Sequence, residues 1–180
     1  MGKVLPLIFF LLTAHPAPRG STLRVRGNGF SFSVTEPEGW SIDFQSAVQI
    51  ANFVMHPKES NWREANVVAF ARLTPMGPQQ SLKTFMERDL QEFRESCPFY
   101  KIQDVNLDLR GPRKFLTKAL HCPGVRHEIV AVTQVPGFFI TFILSSNHQN
   151  ELQSARSPFQ DLLSSFLWFS PKSETAIPDR

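Results

Sequence analysis

Few residues in this chain have the types and spacing that chemistry needs. His127-Glu128 opens like the His-Glu-x-x-His pattern, in which two histidines one helical turn apart hold zinc and the glutamate acts as base. Position 131 is Ala131, and the surrounding alternation is that of a strand, which does not bring residues four apart onto one ion. His121, Cys122 and His127 could meet across a hairpin as three metal ligands, but Cys122 has a competing use in pairing with Cys97. There is no Gly-x-Ser-x-Gly nucleophile turn, no Walker loop and no Gly-x-Gly-x-x-Gly motif. No catalytic, cofactor-binding or metal-ligating set is therefore assigned, and no cofactor is expected.

Two other features stand out. Cys97 and Cys122 are the two cysteines, so one intramolecular disulfide is possible; two buried free thiols are the other reading. Each is followed by proline, which places both where an element ends. Trp62 and Arg63 lie in a polar loop over 56–64, and Trp beside Arg is the composition of an interface anchor. The competing reading folds Trp62 onto a sheet edge.

Compartment and partners are bounded by composition. Lys3, the apolar run from Val4 to Leu12 and the small residues Thr13, Ala14 and Ala17 follow the plan of a secretory signal peptide, expected over 1–17. The run is far shorter than the roughly 20 residues that span a bilayer, so no transmembrane span is expected beyond this leader. Export to a periplasmic or secreted location is expected, where paired cysteines oxidise. The net charge is +3, and Lys3 belongs to the leader; so mild a balance does not argue for nucleic acid. Phe occurs seventeen times and Tyr once, a bias toward burial.

The elements that must position these residues follow from periodicity. A linker is expected over 18–28, a single domain over 29–169 and a flexible tail over 170–180. Phe30, Phe32 and Val34 alternate with Ser31, Ser33 and Thr35 as a strand. Further strands are expected over 40–44, 50–55, 66–73, 100–109, 115–121, 126–135 and 138–144. Val67, Ala69 and Ala71 share one face and Val68 and Phe70 the other, so that strand is covered on both sides. Leu82, Phe85, Met86, Leu90 and Phe93 have helical spacing after a Ser81 cap. A last helix is expected from Ser157-Pro158 and carries Trp168-Phe169 at its end. Cys122-Pro123-Gly124-Val125 has type II turn chemistry. The fold class expected is α+β, a mainly antiparallel sheet with helices on both faces, an α/β/α sandwich.

The order of these pieces resembles PsbP-like domains. Residues Phe32 to Trp40 resemble their opening strand and Pro-x-Gly-Trp turn, Ser81 to Phe85 their first long helix, Arg126 to Ser145 their closing hairpin, and Phe159 to Phe166 their terminal helix. That family includes photosynthetic lumen proteins, a nuclear transport factor and exported bacterial proteins. The resemblance implies a non-enzymatic role and a protein partner, with no family binding residue mapping onto this chain. The expected function is an exported, non-catalytic protein-interaction or envelope accessory module. The alternative is a carrier whose apolar ligand would lie between residues 138–144 and 85–93.

Overall fold

The computed structural model describes residues 20–43 and 51–169. The expected leader over 1–17, the tail over 170–180 and the strand-end residues Phe44 and Ile50 lie outside the described residues. Two antiparallel sheets carry the fold. The larger contains β3 (Trp40–Asp43), β4 (Phe53–Pro57), β5 (Val67–Pro75), β6 (Lys101–Asp104), β7 (Leu116–Cys122), β8 (Arg126–Val135) and β9 (Phe138–Ser146), in the order β3-β4-β5-β9-β8-β7-β6. The smaller pairs β1 (Thr22–Gly27), β2 (Phe30–Thr35) and β10 (Leu167–Phe169) in the order β1-β2-β10.

Three helices cover the larger sheet: α1 (Leu82–Ser96) on one face, α2 (Gln149–Ser154) and α3 (Arg156–Ser165) on the other. The alternation of side chains splits the core accordingly. Val67, Ala69 and Ala71 of β5 join Ile140, Phe142 and Leu144 of β9 beneath α2 and α3, where β2 also packs. Phe70, Phe139 and Ile143 face α1 with its Phe85, Met86, Leu90 and Phe93. Both β5 and β9 are thus apolar on two faces because each lies inside a helix-covered sheet. Phe142 is fully buried between Phe53, Phe115 and Phe166.

Local chemistry sets the element ends. The Ser81 hydroxyl accepts from the Thr84 amide at 3.1 Å, and the Thr84 hydroxyl accepts in return from the Ser81 amide at 3.0 Å. At the other end of α1, Cys97 is extended, as a residue before proline prefers. Cys97 and Cys122 form a disulfide with Cα atoms 5.9 Å apart, tying the end of α1 to the β7–β8 turn. In that turn the Val125 amide donates to the Cys122 carbonyl at 3.1 Å, and Gly124 has φ +72°, the left-handed conformation that a type II turn demands of its third residue.

Four expectations need correction. Within the linker expected over 18–28, Thr22–Gly27 forms β1, whose Leu23 and Val25 pack on the core while its ladder pairs with β2. Trp168 and Phe169 are not the end of a helix but β10, paired with β2. The strand expected to reach Leu109 stops at Asp104. Beyond it, the carbonyls of Val105, Asn106 and Asp108 accept from Thr117, Arg156 and Gln160 side chains, so the segment leaves the sheet and runs along α3. Finally, α3 begins at Arg156 after an Ala155 cap, and Ser157 makes no cap bond; Pro158 falls in the first turn, where its missing N–H costs nothing.

Candidate functional site

The loop after β4 is built around Asn61. Its side-chain oxygen accepts from the Arg63 and Glu64 amides at 3.0 and 3.2 Å, and its amide nitrogen donates to the Glu64 carboxylate at 2.6 Å. The resulting turn presents Trp62 half-buried and Arg63 exposed, with the guanidinium 5.3 Å above the indole centroid. On its other side the loop is held to the 36–40 turn: the Lys58 amide donates to the Gly39 carbonyl at 3.0 Å, and its ammonium lies 3.2 Å from Glu36.

Between this loop and α2 opens a cleft of about 420 Å³. Its floor is apolar, made by buried Trp40, Val67 and Ala155. Glu59, Glu64 and Glu151 line it, and no basic side chain does. Glu151 accepts from Asn66 at 3.1 Å through one oxygen, and the other is buried and has no hydrogen-bond donor among the described residues. Trp62 and Arg63 stand just outside, in a hollow shared with Glu64.

His121 and His127 are brought together as a cross-strand pair of β7 and β8. Their Nδ1 atoms lie 2.6 Å apart, so one ring donates a proton and the other accepts it. Burial and the neighbouring His121 and His148 hold the His127 imidazole below its ordinary pKa. These two rings line a second cleft with Lys101, Gln103, Gln149 and Gln153. Cys122 is not with them. Alternation turns it to the α1 side, into the disulfide, so the trio of His121, Cys122 and His127 does not form. Among the described residues no group of three or more His, Cys, Asp or Glu side chains could hold a metal ion.

Two carboxylates lie on the α1 side of the sheet. Burial pushes both Asp89 and Glu128 above the usual carboxylate range; Glu92 adds to the shift of Asp89, while Arg126 and a bond from Ser145 oppose that of Glu128. The carrier alternative fares poorly here. Phe139 is fully buried with the Phe85 ring stacked on it at 4.5 Å, and none of the clefts named above is lined by residues 138–144 or 85–93. Side chains fill the space that a ligand would need.

Trp62 and Arg63 were marked by composition, whereas Glu151, Trp40 and Glu59 carried no such signal. They meet because β5 pairs with β9 from Val67↔Ser146 onward, which places α2 beside the loop that precedes β5. Only that register brings residues some ninety positions apart in sequence into one cleft.

Neither a family model nor a curated protein matches the chain. Solved structures do. This is the α+β sandwich of the PsbP and Mog1 type. The solution structure of cyanobacterial PsbP (CyanoP) from Synechocystis sp. PCC 6803 superposes with a TM-score of 0.52 at 17% identity, covering 87% of this chain and 98% of that one. The crystal structure of the Saccharomyces cerevisiae Ran-binding protein Mog1p superposes with a TM-score of 0.54 at 12% identity, covering 82% of this chain and 94% of that one. At such identities the likeness establishes the fold.

Proposed function

We propose that the protein is a non-catalytic, exported protein-interaction module whose partner docks on the cleft between the 57–66 loop and α2. The observation that carries this reading is the cleft itself, lined by Glu59, Glu64 and Glu151 over an apolar floor of Trp40, Val67 and Ala155. A lysine or arginine side chain of a partner would lay its aliphatic stem over Trp40 and Val67 and place its charge among Glu59, Glu64 and Glu151. Trp62 and Arg63 extend the contact beyond the cleft as an aromatic-arginine anchor. The fold likeness lends support, since Mog1p is a Ran-binding protein. Export is supported by the leader-like residues from Lys3 to Ala17 and by the disulfide.

The test is partner capture by the exported protein. Trp62→Ala should leave the melting temperature nearly unchanged and reduce capture of a discrete partner. A large loss of stability would instead make Trp62 a packing residue and remove it from the proposed surface.

A further inference from the structure

The short helix α2 divides two clefts of opposite character. Its Glu151 and Ser154, with Ala155, face the acid-lined cleft, whereas Gln149, Leu152 and Gln153 face the smaller cleft of about 270 Å³ that holds the histidine pair. At about 3.6 residues a turn, these two sets lie on opposite sides of the helix. The second cleft gathers groups that donate. Lys101 pairs with His121 and His121 with His127 across three neighbouring strands, so the three side chains stand in a row on one face of the sheet. Gln103, two residues along β6, shares that face, and α2 adds Gln149 and Gln153.

The carboxylates closest in sequence are turned away from this row. Leu120 and Glu128 border the cleft, but alternation carries both side chains to the α1 face. There the Glu128 carboxylate accepts from the Ser145 hydroxyl at 3.3 Å and lies 3.6 Å from Arg126. Asp104 is held by Lys118 at 2.8 Å on that same side of the β6–β7 pair. Glu151 opens on the other cleft, where it accepts from Asn66. The neighbouring charges that His127 feels are those of His121 and His148, with no carboxylate among them. Lys101 is exposed and has no ion-pair partner among the described residues.

The two half-buried imidazoles share one proton between Nδ1 atoms 2.6 Å apart. A second proton would set two cations in contact, with Lys101 beside them, and their repulsion opposes its uptake. A carboxylate seated in the cleft would supply the counter-charge. It would accept from the Lys101 ammonium, from the imidazolium pair and from the glutamine amides, which is the donor set that an anionic ligand needs.

From the Lys101–His121–His127 row, its three flanking glutamines and the turning away of Asp104, Glu128 and Glu151, we infer that this second cleft binds a carboxylate and takes up a proton with it. The cleft is built from residues distinct from those of the acid-lined cleft, so carboxylate binding and partner docking fail or succeed independently.

Isothermal titration calorimetry of the full chain at pH 6 and pH 8 tests this. Two probes stay ionised throughout: tartrate, a free acid, and a capped diaspartate peptide, which stands for the side chains of a protein. At least one should bind, about tenfold more tightly at pH 6, with uptake of up to about one proton read from the buffer dependence of the heat. The tighter probe identifies the source of the carboxylate. His127→Gln should abolish the pH dependence. Lys101→Gln, on an exposed edge strand where folding is not at stake, should weaken binding up to about fivefold at both pH values. Lys114→Gln, which removes an exposed cation at the other end of β7, should leave binding unchanged. No saturable binding of either probe, equal binding of the uncharged diasparagine peptide, or binding indifferent to pH would overturn the inference. So would an equal loss in Lys101→Gln and Lys114→Gln, because net charge and not the cleft would then hold the anion.

Discussion

The residue-scale electrostatics divide by face of the large sheet, and the two faces respond to pH in opposite directions. On the α1 side, Glu128 and Asp89 hold a proton more tightly in the folded chain than in the unfolded one. Their ionisation therefore costs stability at neutral pH, a cost removed as pH falls through the raised folded values. Glu128→Gln, which keeps the shape and the Ser145 contact, should raise the melting temperature at pH 7, by less than the roughly 1 kcal/mol typical of point substitutions. That gain should shrink on acidification. On the other side, His127 is held below its ordinary value, so the unfolded chain takes up protons first. Its contribution is present at neutral pH and declines as pH falls from about 6.5 toward the lowered folded value. His127→Gln should therefore flatten the acid side of the stability curve, and denaturation midpoints of wild type and both variants across pH 5–8 check the two signs together.

The elements were largely legible in the sequence, for reasons that also explain the exceptions. Residues 82–93 carry a helical period, 138–144 are an apolar run of strand length, and Ser81 and Pro-Gly punctuate them; α1, β9 and the β7–β8 turn follow. Leu23-Arg24-Val25-Arg26 also alternates, but the Pro, Gly and Ser residues before it masked β1, which forms a hairpin with β2 across the Asn28-Gly29 turn. Leu107 and Leu109 kept a strand's spacing yet left the sheet, where side chains of α3 bond the Asn106 and Asp108 carbonyls in place of a further ladder. The disulfide was read from two cysteines at element ends, and the loop it closes has 24 residues between them. In the chain-entropy account such a loop is worth roughly 3–4 kcal/mol. Replacing both cysteines by serine should lower the melting temperature by several degrees, measured against the same protein under reducing conditions, where the difference should vanish.

For the molecule as a whole, two layers of side chains on one sheet make a packed sandwich, with function left to its surface. Phe142 at the centre of the α2/α3 layer should tolerate truncation poorly: Phe142→Ala is expected to cost about 3–5 kcal/mol, read from chemical denaturation. The candidate cleft was the least legible feature, because it is assembled by the β5–β9 register from a loop, a strand start and a short helix, and only Trp62 and Arg63 advertised it. The central claim is that a protein partner occupies this face. Site-specific photo-crosslinking tests it most directly, with a photoreactive phenylalanine analogue placed at position 62 of the protein in its own cells and a control at Leu167. The account predicts one discrete protein adduct from position 62 that is absent from the control and lost when Glu151→Gln is added. No adduct at position 62, or the same adducts from both positions irrespective of Glu151, would contradict it.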